Sequence, residues 1–312
     1  MQILNNLKKF LPVLFILYFS GLGAQDLDSI MQKLDADVEP GVVLSTFKSP
    51  KLVLLQTNET QSKQNLTFWI AHRFGDIGGE SGGSRSLFGL DAATDIHFGF
   101  DYGLTDDLTI GIGRSRFNET YNFNAKYALF RQMEATMPVS LTFFGQSSWI
   151  TRRENFSGEF ETETDRISNF LQLIIARKIS SKLSVMLNPG YLVGYQPTDP
   201  RDKENFFVLG MGARMKITKR LSLIGDYTWV NNLNRPGDLE SGYTDPLGLG
   251  LEIETGGHVF SLNFQNAKFI TENNFIPHTR ESWGDGEVRF GFSISRNFYL
   301  GPKSGGTGYN SK

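Results

Sequence analysis

Asp95-Ile-His-Phe-Gly-Phe-Asp-Tyr-Gly-Leu-Thr-Asp-Asp-Leu-Thr-Ile-Gly-Ile-Gly-Arg114 decides the reading of this chain. Ile96, Phe98, Phe100 and Tyr102 alternate with His97, Gly99, Asp101 and Gly103. After Thr105-Asp106-Asp107 the alternation resumes, with Leu108, Ile110 and Ile112 set against Thr109, Gly111 and Gly113. A period of two on both sides of a polar turn predicts a β-hairpin with one apolar face. The polar face carries Gly, His, Asp and Thr rather than the long charged side chains of a sheet facing bulk water. Such a face fits a confined lumen, and the greasy face fits lipid. The pair therefore predicts one unit of a transmembrane β-barrel.

Working outward, the same alternation recurs in segments of about ten residues, long enough for a tilted strand to cross a bilayer. They are Asn65–Phe74, Asp95–Leu104, Leu108–Arg116, Tyr121–Phe130, Pro138–Ile150, Arg166–Ile179, Lys182–Tyr195, Asn205–Ile217, Leu221–Val230, a hairpin with Leu247, Leu249, Leu251 and Ile253 across Gly256-Gly257 from Phe260, Leu262 and Phe264, and Glu287–Phe298. Their connections alternate short and long, except at Phe117–Thr120, which is short where a long one is due. The fold predicted is all-β: a transmembrane up-and-down antiparallel β-barrel of about 12 strands, with short periplasmic turns and long extracellular loops. Both chain ends then fall in the periplasm. Tyr102, Tyr121, Tyr191, Tyr195, Trp229, Phe298 and Tyr299 are expected in the aromatic girdles at the two interfaces.

Composition agrees with this. The 312 residues include 33 Gly, 26 Phe and no Cys, with a net charge of -2. No stretch after residue 24 approaches the roughly 20 apolar residues of a membrane helix. The charge balance does not favour nucleic-acid binding. The missing cysteine excludes disulfides, thiolate metal sites and a Cys nucleophile. Residues 1–24 read as a signal peptide, with Lys8 and Lys9 before the apolar run Phe10–Phe19 and small residues after it. Residues 25–64 are not barrel-like and are expected in the periplasm, inside the lumen or on an edge. Residues 65–300 are the barrel, and 301–312 a flexible Gly-rich tail.

The blocks His72-Arg73-Phe74-Gly75, Phe88-Gly89-Leu90-Asp91, Tyr102-Gly103-Leu104-Thr105, Gly111-Ile112-Gly113-Arg114-Ser115, Lys126-Tyr127, Arg131-Gln132 and Phe290-Gly291-Phe292-Ser293-Ile294-Ser295-Arg296 resemble those of a Bacteroidetes family of outer-membrane β-barrel proteins of unknown function. The resemblance runs from about Thr46 to Leu300. It implies an outer-membrane location in a Gram-negative bacterium and transfers no catalytic residues.

Strand phase points Arg73, His97, Asp101, Lys126, Arg214, Lys216, Asp226, Glu252, Glu254 and Arg289 into the lumen. Both signs are present, which favours cross-barrel ion pairs over a single-sign selectivity tube. His97 and Asp101 share a face but stand ~13 Å apart along a strand, too far to share a metal ion. No metal, cofactor or catalytic residue is predicted. Arg114 and Arg116 are placed outward at the external rim, where anionic head groups sit. The inward glycines Gly99, Gly103, Gly111, Gly113, Gly210, Gly212, Gly248, Gly250 and Gly291 let the wall bend. They also leave room for a second backbone, and residues 42–57 are the candidate to fill it. The acidic loop Thr151–Asp165 reads as solvated, with a bound divalent cation as the sharper reading.

The function expected is a narrow pore or transporter for small solutes. The alternatives are a non-conducting barrel that scaffolds a periplasmic or surface partner, and a rim hydrolase built on His72 or, less well, on Asp91 and Asp95. Expected partners are outer-membrane lipid and lipopolysaccharide, the barrel-assembly machinery and a small solute.

Overall fold

The computed structural model describes residues 41, 43, 45–134, 136–197, 201–232, 235 and 242–302. The signal peptide, residues 25–40 and all of the tail beyond residue 302 lie outside them. Twelve antiparallel strands close into one barrel: β1 (Asn65–Asp76), β2 (Ala93–Gly103), β3 (Leu108–Ser115), β4 (Tyr121–Phe130), β5 (Ser140–Trp149), β6 (Ile167–Lys178), β7 (Leu183–Val193), β8 (Phe206–Lys216), β9 (Leu221–Val230), β10 (Leu247–Thr255), β11 (His258–Gln265) and β12 (Arg289–Tyr299). Each pairs with its sequence neighbours, and β1 against β12 closes the ring, with Ile70 opposite Ile294. Closure leaves no unpaired strand edge, so every wall segment satisfies its backbone without water.

Register follows the pleat. In the β2–β3 hairpin Phe98 stands opposite Arg114, Phe100 opposite Ile112 and Tyr102 opposite Ile110. Phe98, Phe100, Ile110, Ile112, Phe123, Phe207, Leu249 and Phe264 remain exposed, while the alternate residues are buried. An apolar belt of this extent on a water-soluble protein would mark an aggregation site. Against hydrocarbon it matches its solvent. One end of the barrel gathers the short connections 104–107, 179–182, 217–220 and 256–257, together with 131–139. The other gathers 77–92, 150–166, 194–205, 231–246 and 266–288, together with the short 116–120.

The interior is filled rather than open. On the inward faces of β5 to β9, Phe144, Phe170, Ile174, Met186, Leu192, Phe206, Val208 and Ile224 are buried in an apolar core. They pack with Leu52, Val53, Leu54 and Leu55 from the segment before β1, and with Phe275 and Ile276 of a short helix, α1 (Glu272–His278). This helix is too short to be stable alone, so its packing holds it. Thr279 closes it, its hydroxyl donating to the Phe275 carbonyl.

Candidate functional site: a filled lumen and its outer vestibule

Residues 45–61 enter the barrel at the short-turn end and leave by the same mouth. At that mouth the Val43 amide donates to Gln132 O in the 131–139 turn (2.8 Å), and the Thr60 hydroxyl donates to Asp106 O in the 104–107 turn (2.9 Å). An antiparallel bridge between Lys51 and Gln56 pinches the segment into a loop tipped by Leu52–Leu55.

Asp226, on β9, holds that tip. Its Oδ2 accepts the backbone amides of Val53, Leu54 and Leu55 at 3.0, 2.8 and 3.0 Å. Three successive N–H groups converging on one carboxylate oxygen form an anion nest turned inside out, with the anion on the wall and the nest on the insert. Arg73, on β1, grips the same turn from the opposite polarity, donating to Val53 O at 2.8 Å and to Gln265 Oε1 at 2.7 Å. Lys126 donates to Pro50 O, and Asn188 Nδ2 donates to Gln56 O. The inward glycines make room. A Cβ on Gly248 would stand 2.5 Å from Val53 Cγ1, one on Gly210 2.7 Å from Leu55, and one on Gly212 2.9 Å from Leu52. Two voids beside the segment are about 20 Å³ each, room for a water molecule.

The other residues read from phase take structural places. Arg214 is buried between Glu252 (2.7 Å) and Glu254 (2.6 Å), and Lys48 of the inserted segment stands 3.9 Å from Glu254. Arg289 meets Asp76 at 2.7 Å and Glu281 at 3.6 Å. His97 bonds Ser115 Oγ at 2.8 Å and stacks on Trp69. Asp101 accepts from Asn124 at 3.5 Å, and Lys216 is half-buried at the short-turn mouth.

Several expectations are corrected. Tyr195 is not in a girdle: Gly194 at φ 75 breaks the strand phase and turns Tyr195 inward, where its ring meets Phe206 and His278 edge-on. Asp95, named with Asp91 for a rim hydrolase, is fully buried and accepts the amides of Ile96, Phe117 and Ile270. His72 lies flat against Phe292 and beside Phe74 on the outer wall. In the 150–166 loop, Arg152 is paired with Glu159 and holds that carboxyl down to about 2. Among the described residues no three His, Asp or Glu side chains are grouped to hold a metal ion.

Sequence reasoning missed α1. It enters from the long-loop end, and its Glu272 accepts from Lys51 Nζ at 2.9 Å and from Gln56 Nε2 at 3.3 Å, so the tip of the insert touches the helix. Above α1 opens a vestibule of about 310 Å³. Its floor is Asn273, Asn274 and His278, and its walls come from residues 117–120, 150–168 and 194–197. Arg235 fastens α1 from the side, pairing with Asp202 and donating to Pro277 O at 3.0 Å. Burial holds His278 down to about 4. Nothing in a loop of mixed polarity signals a helix that folds into a lumen.

A family model described as a membrane bound beta barrel domain (DUF5777) matches residues 47–298. No curated protein matches the sequence. Among solved structures the chain is similar to the NanC porin (8% identity, TM-score 0.46, covering 75% of this chain and 98% of that one). It is similar also to an outer-membrane channel from Pseudomonas putida F1 (13% identity, TM-score 0.46, 77% and 98%) and to the outer membrane phospholipase A from Escherichia coli (13% identity, TM-score 0.40, 74% and 92%).

Proposed function

This chain belongs to the DUF5777 family of membrane-bound β-barrel domains, and from that premise we propose that it is a gated outer-membrane conduit for small solutes. In this reading the short-turn mouth faces the periplasm, the long loops face outward, and the apolar belt meets outer-membrane lipid and lipopolysaccharide after the barrel-assembly machinery has inserted the chain. The insert 45–61 is the gate, and the vestibule above α1 is the entrance.

The observation that carries the reading is the insert itself. It is not a wall strand, it enters and leaves by one mouth, and the voids beside it at Trp69 and His97 are about 20 Å³, room for a water molecule. A wall that closes without its plug does not need the plug for its strand ladder. Liposome swelling with a size series of neutral solutes tests this on the intact chain and on a chain lacking residues 45–61. Slow swelling of the first and fast, size-limited swelling of the second is the expected result. The deletion also removes part of the core, so Asp226→Ala is measured beside it.

The second reading, a non-conducting scaffold, is favoured by the apolar packing of Leu52–Leu55 against β5 to β9. Folded but impermeable liposomes with both variants would decide for it.

A further inference from the structure

We propose that the vestibule is a binding site for an uncharged, polyhydroxylated solute of mono- to disaccharide size. This rests on the conduit reading for its consequence but not for its geometry. At about 310 Å³ the space stands at the lower end of the roughly 300–1,000 Å³ of small-molecule pockets.

Charge comes first. Among the described residues two cations and two anions line the space: Arg152, Arg166, Glu159 and Asp165. All four are committed locally. Arg152 is paired with Glu159. Asp165 accepts the amide and hydroxyl of Thr162 at 2.8 and 3.0 Å. Arg166 lies over Phe160, 4.2 Å from its centroid, and donates to Arg152 O at 2.9 Å, with Glu163 3.6 Å away. A charged ligand would lose its hydration without gaining a free counter-charge. His278 on the floor adds no charge at neutral pH.

Polar and aromatic groups come next. Asn118, Asn155, Asn273, Asn274 and Gln196 line the space, together with Thr120, Ser148 and Ser168, whose hydroxyls are engaged by Phe117 O, Asn122 Oδ1 and Asn273 Nδ2. Amides and hydroxyls both donate and accept, which is what a ring of alcohols requires. Asn273 is a fixed floor group, its Nδ2 donating to Ser168 O and Oγ and its Oδ1 accepting from Gln146. Asn274 beside it is nearly buried, and its Nδ2 has no hydrogen-bond partner among the described residues. Phe156 is exposed at the rim, an aromatic face for the C–H side of a sugar ring.

The test is saturation-transfer NMR on the full chain in a zwitterionic, sugar-free detergent, with maltose, gluconate and glucosamine as probes and liposome swelling run in parallel. Saturable maltose binding is expected, not displaced by either charged probe and weakened at least fivefold in Phe156→Ala/Gln196→Ala. Both positions are exposed, and unchanged heat-modifiable migration would show the variant folded. Absence of maltose binding, equal or tighter binding of a charged probe, or affinity indifferent to the double variant overturns the inference. Swelling without maltose binding overturns it while leaving the conduit reading intact. Maltose binding with impermeable liposomes in the plug-deleted chain does the reverse.

Discussion

Replacing Asp226 with alanine should unseat residues 45–61. The amides of Val53, Leu54 and Leu55 all end on Asp226 Oδ2, and all three residues are buried. Leaving a buried donor unmade costs about 1–3 kcal/mol, so the three together amount to roughly 3–9 kcal/mol. Burying the four apolar side chains Leu52–Leu55 contributes on the order of 6–12 kcal/mol in the opposite sense. The latch is thus comparable with the packing it secures. Its loss should raise the withdrawn population by about a hundredfold or more, since about 1.4 kcal/mol is a factor of ten. Asp226→Asn keeps a neutral acceptor and forfeits charge assistance, so it should fall between the two. The chain has no cysteine, and Leu54 is fully buried, so Leu54→Cys is a unique reporter. Its labelling by a membrane-impermeant maleimide in proteoliposomes should accelerate in the order Asp226, Asn, Ala. Equal labelling rates in all three, with the barrel still heat-modifiable, would refute the latch.

Three further outcomes are expected. Gly248→Ala puts a methyl where Val53 Cγ1 stands 2.5 Å and Asp226 Oδ1 2.9 Å away, so it should raise solute flux in liposome swelling while leaving barrel migration unchanged. Arg214→Leu leaves Glu252 buried and unpaired and should cost about 3–5 kcal/mol, read as a lower unfolding temperature of the barrel in detergent. Burial, with Arg235 and Arg280 close by and Asp202 opposing, holds His278 down to about 4 against an ordinary 6.5. Its contribution is therefore intact above about pH 6.5 and is lost as pH falls towards 4, a change on the order of 3 kcal/mol. Hydrogen exchange of the amides in 272–279, corrected for the intrinsic pH effect, should quicken over that window, and His278→Gln should flatten the response.

The wall is legible in the sequence because lipid and lumen impose opposite chemistry on alternate residues. Phe98 and Phe100 against His97 and Asp101 leave no ambiguity of phase. Legibility fails where both faces are apolar. In Phe170-Leu-Gln-Leu-Ile-Ile175 the outward Leu171, Leu173 and Ile175 are plain, but Phe170 and Ile174 turn into a core that a reading of polar lumen does not anticipate. The site divides in the same way. Asp226 and Arg73 can be placed inward by counting, but their partners on the insert are backbone groups of residues 53–55, which any sequence would supply. Gly210, Gly212 and Gly248 mark an absence of side chain; what stands against them, Leu55, Leu52 and Val53, lies in a run too short to show a period. Glu281 and Asp76, which complete the Arg289 cluster, sit in a loop and at a strand end where phase gives no direction.

The single mouth used by residues 45–61 also bears on topology. The segment lies just upstream of β1, and both of its ends are held against turns on one rim, at Gln132 and at Asp106. It is a bight pushed into a tube, not a cord drawn through it. The ring sealed by β1 and β12 can therefore zip shut before the bight is tucked in, and the bight can be pulled free without parting any seam or passing a chain end through the hole.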